Sequence, residues 1–122
     1  VPDELVDMHG VPVLVCAADG PPLRGERDAT DVIGDAFGRQ ARWVAVPVGR
    51  LDDAFFRLST RVAGEVMQKF VQYGLAMAVV GDISRHTAAS SALRALVVES
   101  NRGRHVWFVS DVDELRERLR TA

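Results

Sequence analysis

The stretch GLAMAVVG, residues 74–81, is apolar at every position between its two glycines. A strand with one solvated face alternates apolar and polar residues, so a run without alternation predicts a strand covered on both faces, as inside a parallel sheet. Parallel neighbours need long, usually helical, crossovers. The rest of the chain must therefore alternate helices with strands.

It does. ELVDMH and VPVLVCA read as strands joined by a tight turn at His9 and Gly10, an opening hairpin. DATDVIGDAFGRQ places Val32, Ile33, Ala36 and Phe37 at helical spacing, with Asp28 or Thr30 as N-cap. RWVAVPV is a strand with Pro47, which cannot donate to a ladder, at its end or on an edge. STRVAGEVMQKFVQYG is the clearest helix: Val62, Ala63, Val66, Met67, Phe70 and Val71 form its apolar stripe, Glu65 and Lys69 are spaced for an ion pair, and Gly74 follows as C-cap. TAASSALRALVVESN predicts one further helix with Ala89, Leu93, Leu96 and Val97 inward, and HVWFV a last strand. SDVDELRERLRT ends the chain as an amphipathic helix capped by Ser110, with Val112, Leu115 and Leu119 on its apolar side.

The order β-β-α-β-α-β-α-β-α predicts a single α/β domain over residues 1–122, a two-layer or sandwich arrangement around a mostly parallel sheet of about five strands. At 122 residues such a domain buries an adequate core without disulfide or metal staples. Cys16 is the lone cysteine and sits in an apolar run, so no intrachain disulfide forms and a reducing cytoplasm fits. The N-terminus is acidic and lacks an apolar export segment, and no apolar run approaches the roughly 20 residues of a spanning helix. A soluble, cytoplasmic protein is expected, without membrane association.

A net charge of −2 lacks the long-range positive field of a nucleic-acid binder. Arginine supplies 14 of the 15 basic residues, which fits a bacterial coding bias better than a phosphate-binding surface. No glycine pattern matches a phosphate loop or a dinucleotide fingerprint, and His9, His86 and His105 fall at different predicted ends of the fold. No cofactor and no metal is expected. Trp43 and Trp107 are read as core residues.

In an open parallel sheet, sites gather where the strands end and helices begin, here residues 49–60, 81–88 and 110–111. GDISRHTAAS puts Asp82, Ser84, Arg85 and His86 there, and Asp82 with His86 would be the acid–base pair of a small enzyme. No strained nucleophile turn surrounds Ser84, so the default is a capping carboxylate and a solvated imidazole. Ser59 and Thr60 fall at a predicted helix start between Arg57 and Arg61. They read as caps, and as the place where a phosphate would meet a helix N-terminus and two guanidinium groups. The cationic ESNRGRH lies at the opposite rim, where Gly103 is expected to be a left-handed helix stop with Arg102 and Arg104 complementing the helix dipole. A basic docking surface for an acidic partner is the alternative there.

Nearly the whole chain resembles the bacterial family called domain of unknown function 4180, through DAFFRLSTRVAGEVMQKFVQYG, LAMAVVGDIS and SALRALVVESNRGRHVWFV in that order. That resemblance implies fold and length, and no activity. The element order is similar to that of STAS domains, the anti-sigma-factor-antagonist type, which generally dock proteins and in some cases are switched by phosphorylation of a serine after the third strand. RLSTRVAG occupies that place without the Asp-Ser-x-Gly pattern, because Leu58 precedes Ser59 and the glycine is Gly64. The expectation is a non-catalytic regulatory or interaction module with a protein partner, self-association being left open. The alternative is a small enzyme or ligand-binding protein using the strand-end loops around residues 82–86 and 59–61, with Asp82 and His86 as acid and base and Arg85 or Arg61 as the anion anchor.

Overall fold

The computed structural model describes residues 3–121. Strands β1 (Glu4–Met8), β2 (Val11–Val15), β3 (Trp43–Pro47), β4 (Ala76–Val80) and β5 (Val106–Val109) form one sheet in the order β1-β2-β3-β4-β5. The first pair is antiparallel and the others are parallel. Between and after them lie α1 (Glu26–Gly38), α2 (Asp53–Phe56), α3 (Val62–Gln72), α4 (Ser84–Ala89), α5 (Ser91–Arg102) and α6 (Val112–Thr121). The opening turn is the expected two-residue loop: Met8 pairs with Val11, and His9 and Gly10 have φ of 54° and 84°, the left-handed pair that matches strand twist.

A parallel sheet whose strands follow chain order, crossed over with one hand, carries its crossover helices on one face. Residues from α1, α2, α3 and α5 pack there with Leu14, Val44, Val46, Met77, Val79 and Phe108. The other face is covered by α6, whose Leu115 and Leu119 meet Met8, Val13, Ala45, Ala78, Trp43 and Trp107. Alternate residues of β3 and β4 enter the two cores, which is why β4 tolerates no polar position.

Several local expectations are corrected by the structure. Residues 49–60 are not an open loop: they hold a 3₁₀ turn at Val48–Arg50, α2, and a second 3₁₀ turn at Leu58–Thr60. Helix α3 consequently starts at Val62, behind Arg61, whose φ of 66° places an arginine in the left-handed region. Helix α1 starts at Glu26 after Gly25, so neither Asp28 nor Thr30 is its N-cap, and Asp28 instead accepts the Arg24 N–H. The helix predicted over 87–101 is two, broken at Ser90, whose hydroxyl caps α5 by accepting the Leu93 N–H at 3.1 Å. Ala89, placed on the short α4, is exposed, as are Phe37 and Val71, which were expected inward. Phe37 meets Tyr73 edge to face at the helix surface. Asp111, not Ser110, caps α6 by accepting the Glu114 N–H, and Glu114 returns to accept the Ser110 N–H. No ion pair joins Glu65 and Lys69 among the described residues.

Gly103 is also not the left-handed stop expected of it, since its φ is −88°. The end of α5 is held by Asn101. Its side chain accepts the Phe108 N–H at 2.7 Å and donates to the Phe108 carbonyl at 3.3 Å, satisfying the outer edge of β5 as a missing strand would. Arg118 then donates to the Asn101 carbonyl at 2.8 Å while its guanidinium lies 4.0 Å over the Trp107 ring. Gly103→Ala should therefore be nearly neutral, because an added Cβ meets only the Ser100 carbonyl at 3.6 Å. Asn101→Ala should cost about 2 kcal/mol by leaving two edge groups unpaired. Urea unfolding of the two variants checks this order, and a more damaging Gly103→Ala would reverse it.

Candidate functional site

At the carboxyl ends of β3 and β4, α2 with its following turn faces α4 across a groove of about 510 Å³. Phe55 and Phe56 are both buried, so α2 is clamped to the core although it is only one turn long. Phe56 stacks on His86 with ring centres 4.1 Å apart and planes 11° from parallel. Arg85 Nη2 lies 3.2 Å from Asp53 Oδ1 and 3.3 Å from His86 Nε2. A guanidinium only donates, so Nε2 is the acceptor in this contact. Groove and wall are thus pre-shaped by one aromatic stack and one ion pair.

Arg57 and Ser59 line the same groove. Neither side chain has a hydrogen-bond or ion-pair partner among the described residues. Thr60 is used differently: its hydroxyl turns back onto the Ala54 and Arg57 carbonyls and accepts the Val62 N–H at 3.3 Å, closing α2 and opening α3 together. Arg61 lies in a separate hollow with Glu26, Glu65 and Gln68, so the two arginines flanking Ser59 in sequence do not face one anion.

Asp82 and Ser84 line a third hollow, between the end of β4 and that of β5. Asp82 accepts the Ser84 N–H at 2.9 Å, and this hydrogen bond, with that of the Ser84 hydroxyl, holds its carboxyl below the ordinary 3.8. A carboxylate so stabilised is a poor proton acceptor, and it lines a different hollow from His86. The structure does not bring the sequence-predicted acid–base pair together. Among the described residues no group of three His, Cys, Asp or Glu side chains could hold a metal ion, and no helix is long and apolar enough to cross a membrane.

Asp53 and Phe56 also line the groove, although residues 49–60 read as a loop in the sequence. The signal for them is the adjacent pair Phe55 and Phe56, because two large apolar side chains in succession do not belong in a solvated loop. Cys16 is excluded from chemistry: burial, then the negative charge of Asp3, pushes its thiol up to about 12. It should resist thiol reagents at neutral pH in the folded protein and react fully in denaturant, and rapid native labelling would contradict its placement.

The matching family model, described as a domain of unknown function (DUF4180), spans residues 8–119, from the last residue of β1 into α6. The chain belongs to the DUF4180 family. Neither the curated proteins nor the solved structures provide a match. The DUF4180 span includes the whole groove, so α2, the Leu58–Thr60 turn and α4 are all part of the family domain.

Proposed function

We propose that this DUF4180 chain is a non-catalytic regulatory module of the bacterial cytoplasm that docks a protein partner in the groove between α2 and α4. One observation carries the reading: among the described residues a guanidinium and a hydroxyl, Arg57 and Ser59, stand without partners in a groove where Asp53, Arg85 and His86 contact one another. Unpaired donors on a prebuilt surface favour recognition of acidic or carbonyl-rich segments. A reaction would instead need a base aimed at a nucleophile, and His86 is committed to Phe56 and Arg85 while Asp82 is committed to Ser84. The element order, similar to that of STAS domains, supports the same class of role.

Ser59 is the proposed regulatory position, and Thr60 is not, because the Thr60 hydroxyl is bound to backbone. A phosphate on Ser59 would add about −1.5 to −2 charges to the groove that also holds Arg57 and Arg85. It would change what the groove accepts without touching the core. The test is capture of a partner from the native host, followed by affinity measurements with wild type, Arg57→Glu, Ser59→Ala and Ser59→Asp. Arg57→Glu and Ser59→Asp should weaken binding on the order of tenfold or more at unchanged melting temperature, and Ser59→Ala should bind normally. Equal affinities across folded variants would place the docking surface elsewhere.

A further inference from the structure

The cationic segment after α5 is divided by the fold. Arg102 pairs with Glu99 at 3.7 Å on the helix surface. Arg104 and His105 instead turn to the amino ends of the strands, where with Arg42 from the connection before β3 they line a cleft of about 380 Å³. Among the described residues, none of these three side chains has a hydrogen-bond or ion-pair partner and no acidic residue lines the cleft. Its remaining wall is hydrocarbon and aromatic, including Trp43, Trp107 and Leu119.

The two indoles, 4.3 Å apart, differ in one respect. Trp107 donates its N–H to the Gly103 carbonyl at 2.8 Å. The Trp43 N–H has no partner among the described residues, although the residue is only 8 % exposed. No side-chain polar atom among the described residues is both buried and unpartnered, so this N–H keeps some contact with solvent. Among the described residues the cleft thus offers guanidinium donors over an apolar wall, an indole with an unpartnered N–H in that wall, and no acidic side chain. A volume of this size suits a small molecule.

We propose that this cleft binds a small organic acid, its carboxylate held by Arg42 and Arg104 with the Trp43 N–H, and its apolar body lying on the tryptophans and Leu119. An inorganic anion would satisfy the cations and leave the apolar wall wet. A neutral apolar molecule would leave two guanidinium groups without a counter-charge. The site lies on the opposite rim from the partner groove and stands independently of it.

The chain's two tryptophans both line the cleft, so intrinsic fluorescence reports occupancy without a label. Phenylacetate, phenylacetamide, acetate and inorganic phosphate would each be titrated against wild type, Arg42→Ala/Arg104→Ala and Trp43→Phe. Phenylacetate should give a saturable change, with the amide, acetate and phosphate each weaker by on the order of tenfold or more. The double arginine variant, altered only at exposed and unpaired side chains, should keep its melting temperature and lose a similar factor. Trp43→Phe, read on Trp107, should bind severalfold more weakly. No saturable change, equal binding of phenylacetamide, tighter binding of phosphate, or unaltered affinity in the folded arginine variant would each overturn the assignment.

Discussion

Replacing Val79 with Asp should leave no cooperatively folded protein. Val79 is 1 % exposed and lies in register between Val46 of β3 and Phe108 of β5, with its side chain in the core under the crossover helices. No cation among the described residues belongs to that core, so the carboxylate would be buried unpaired at a cost of several kcal/mol, against a total stability of about 5–15 kcal/mol. Val79→Ala separates charge from volume: it should fold, destabilised by about 2 kcal/mol from the methyl groups lost. Circular dichroism and urea unfolding distinguish these outcomes. A soluble Val79→Asp with a transition near that of wild type would remove β4 from the sheet interior.

The second large effect is expected at Arg50, a charged residue only 5 % exposed. Its Nε donates to the Pro21 carbonyl at 2.9 Å and its Nη1 to the Ala17 carbonyl at 3.4 Å, with Asp3 Oδ1 3.6 Å away. Asp3 also accepts the Ala17 N–H at 2.7 Å. One guanidinium therefore ties residues 17–21 and the start of β1 to the turn after β3. Arg50→Ala should cost about 3 kcal/mol, the lower part of the range for breaking a buried pair, because the Asp3 side chain remains 24 % exposed and can be hydrated. A Cβ at Gly20 would stand 2.7 Å from the Arg50 Cζ, so Gly20→Ala should destabilise wild type and cost much less in the Arg50→Ala background. Chemical unfolding of the four proteins measures that coupling, and additive effects would mean that the two residues do not act through one contact.

The strands were legible because burial writes itself into composition at each position. The unbroken apolar run of β4 requires two covered faces, and His9-Gly10 is turn chemistry that strand twist demands. Helix boundaries were less legible, since several neighbouring residues could cap equally well and tertiary packing chooses among them. Serines 90 and 91 sit inside a continuous helical pattern, yet the Ser90 hydroxyl ends one helix and starts the next. Gly103 looked like a stop from its type alone, while the work at that end of α5 falls to Asn101, whose partner Phe108 is seven residues away.

The location of the candidate site followed from parallel topology, and its membership did not. Arg57 and Arg61 flank Ser59 in sequence, but the Leu58–Thr60 turn and the left-handed Arg61 send them to different hollows. Asp53 is 32 residues from Arg85, and only the closed packing of α2 on the core makes that ion pair. A pairing of this kind depends on turn geometry that no local pattern specifies.

Hydrogen exchange of the chain with and without its captured partner tests the docking account most directly. Exchange should slow in residues 53–59 and 84–92, the two walls of the groove, with residues 101–106 on the opposite rim unchanged. Tight binding that leaves both groove walls at their free rates, or protects only the opposite rim, would contradict it.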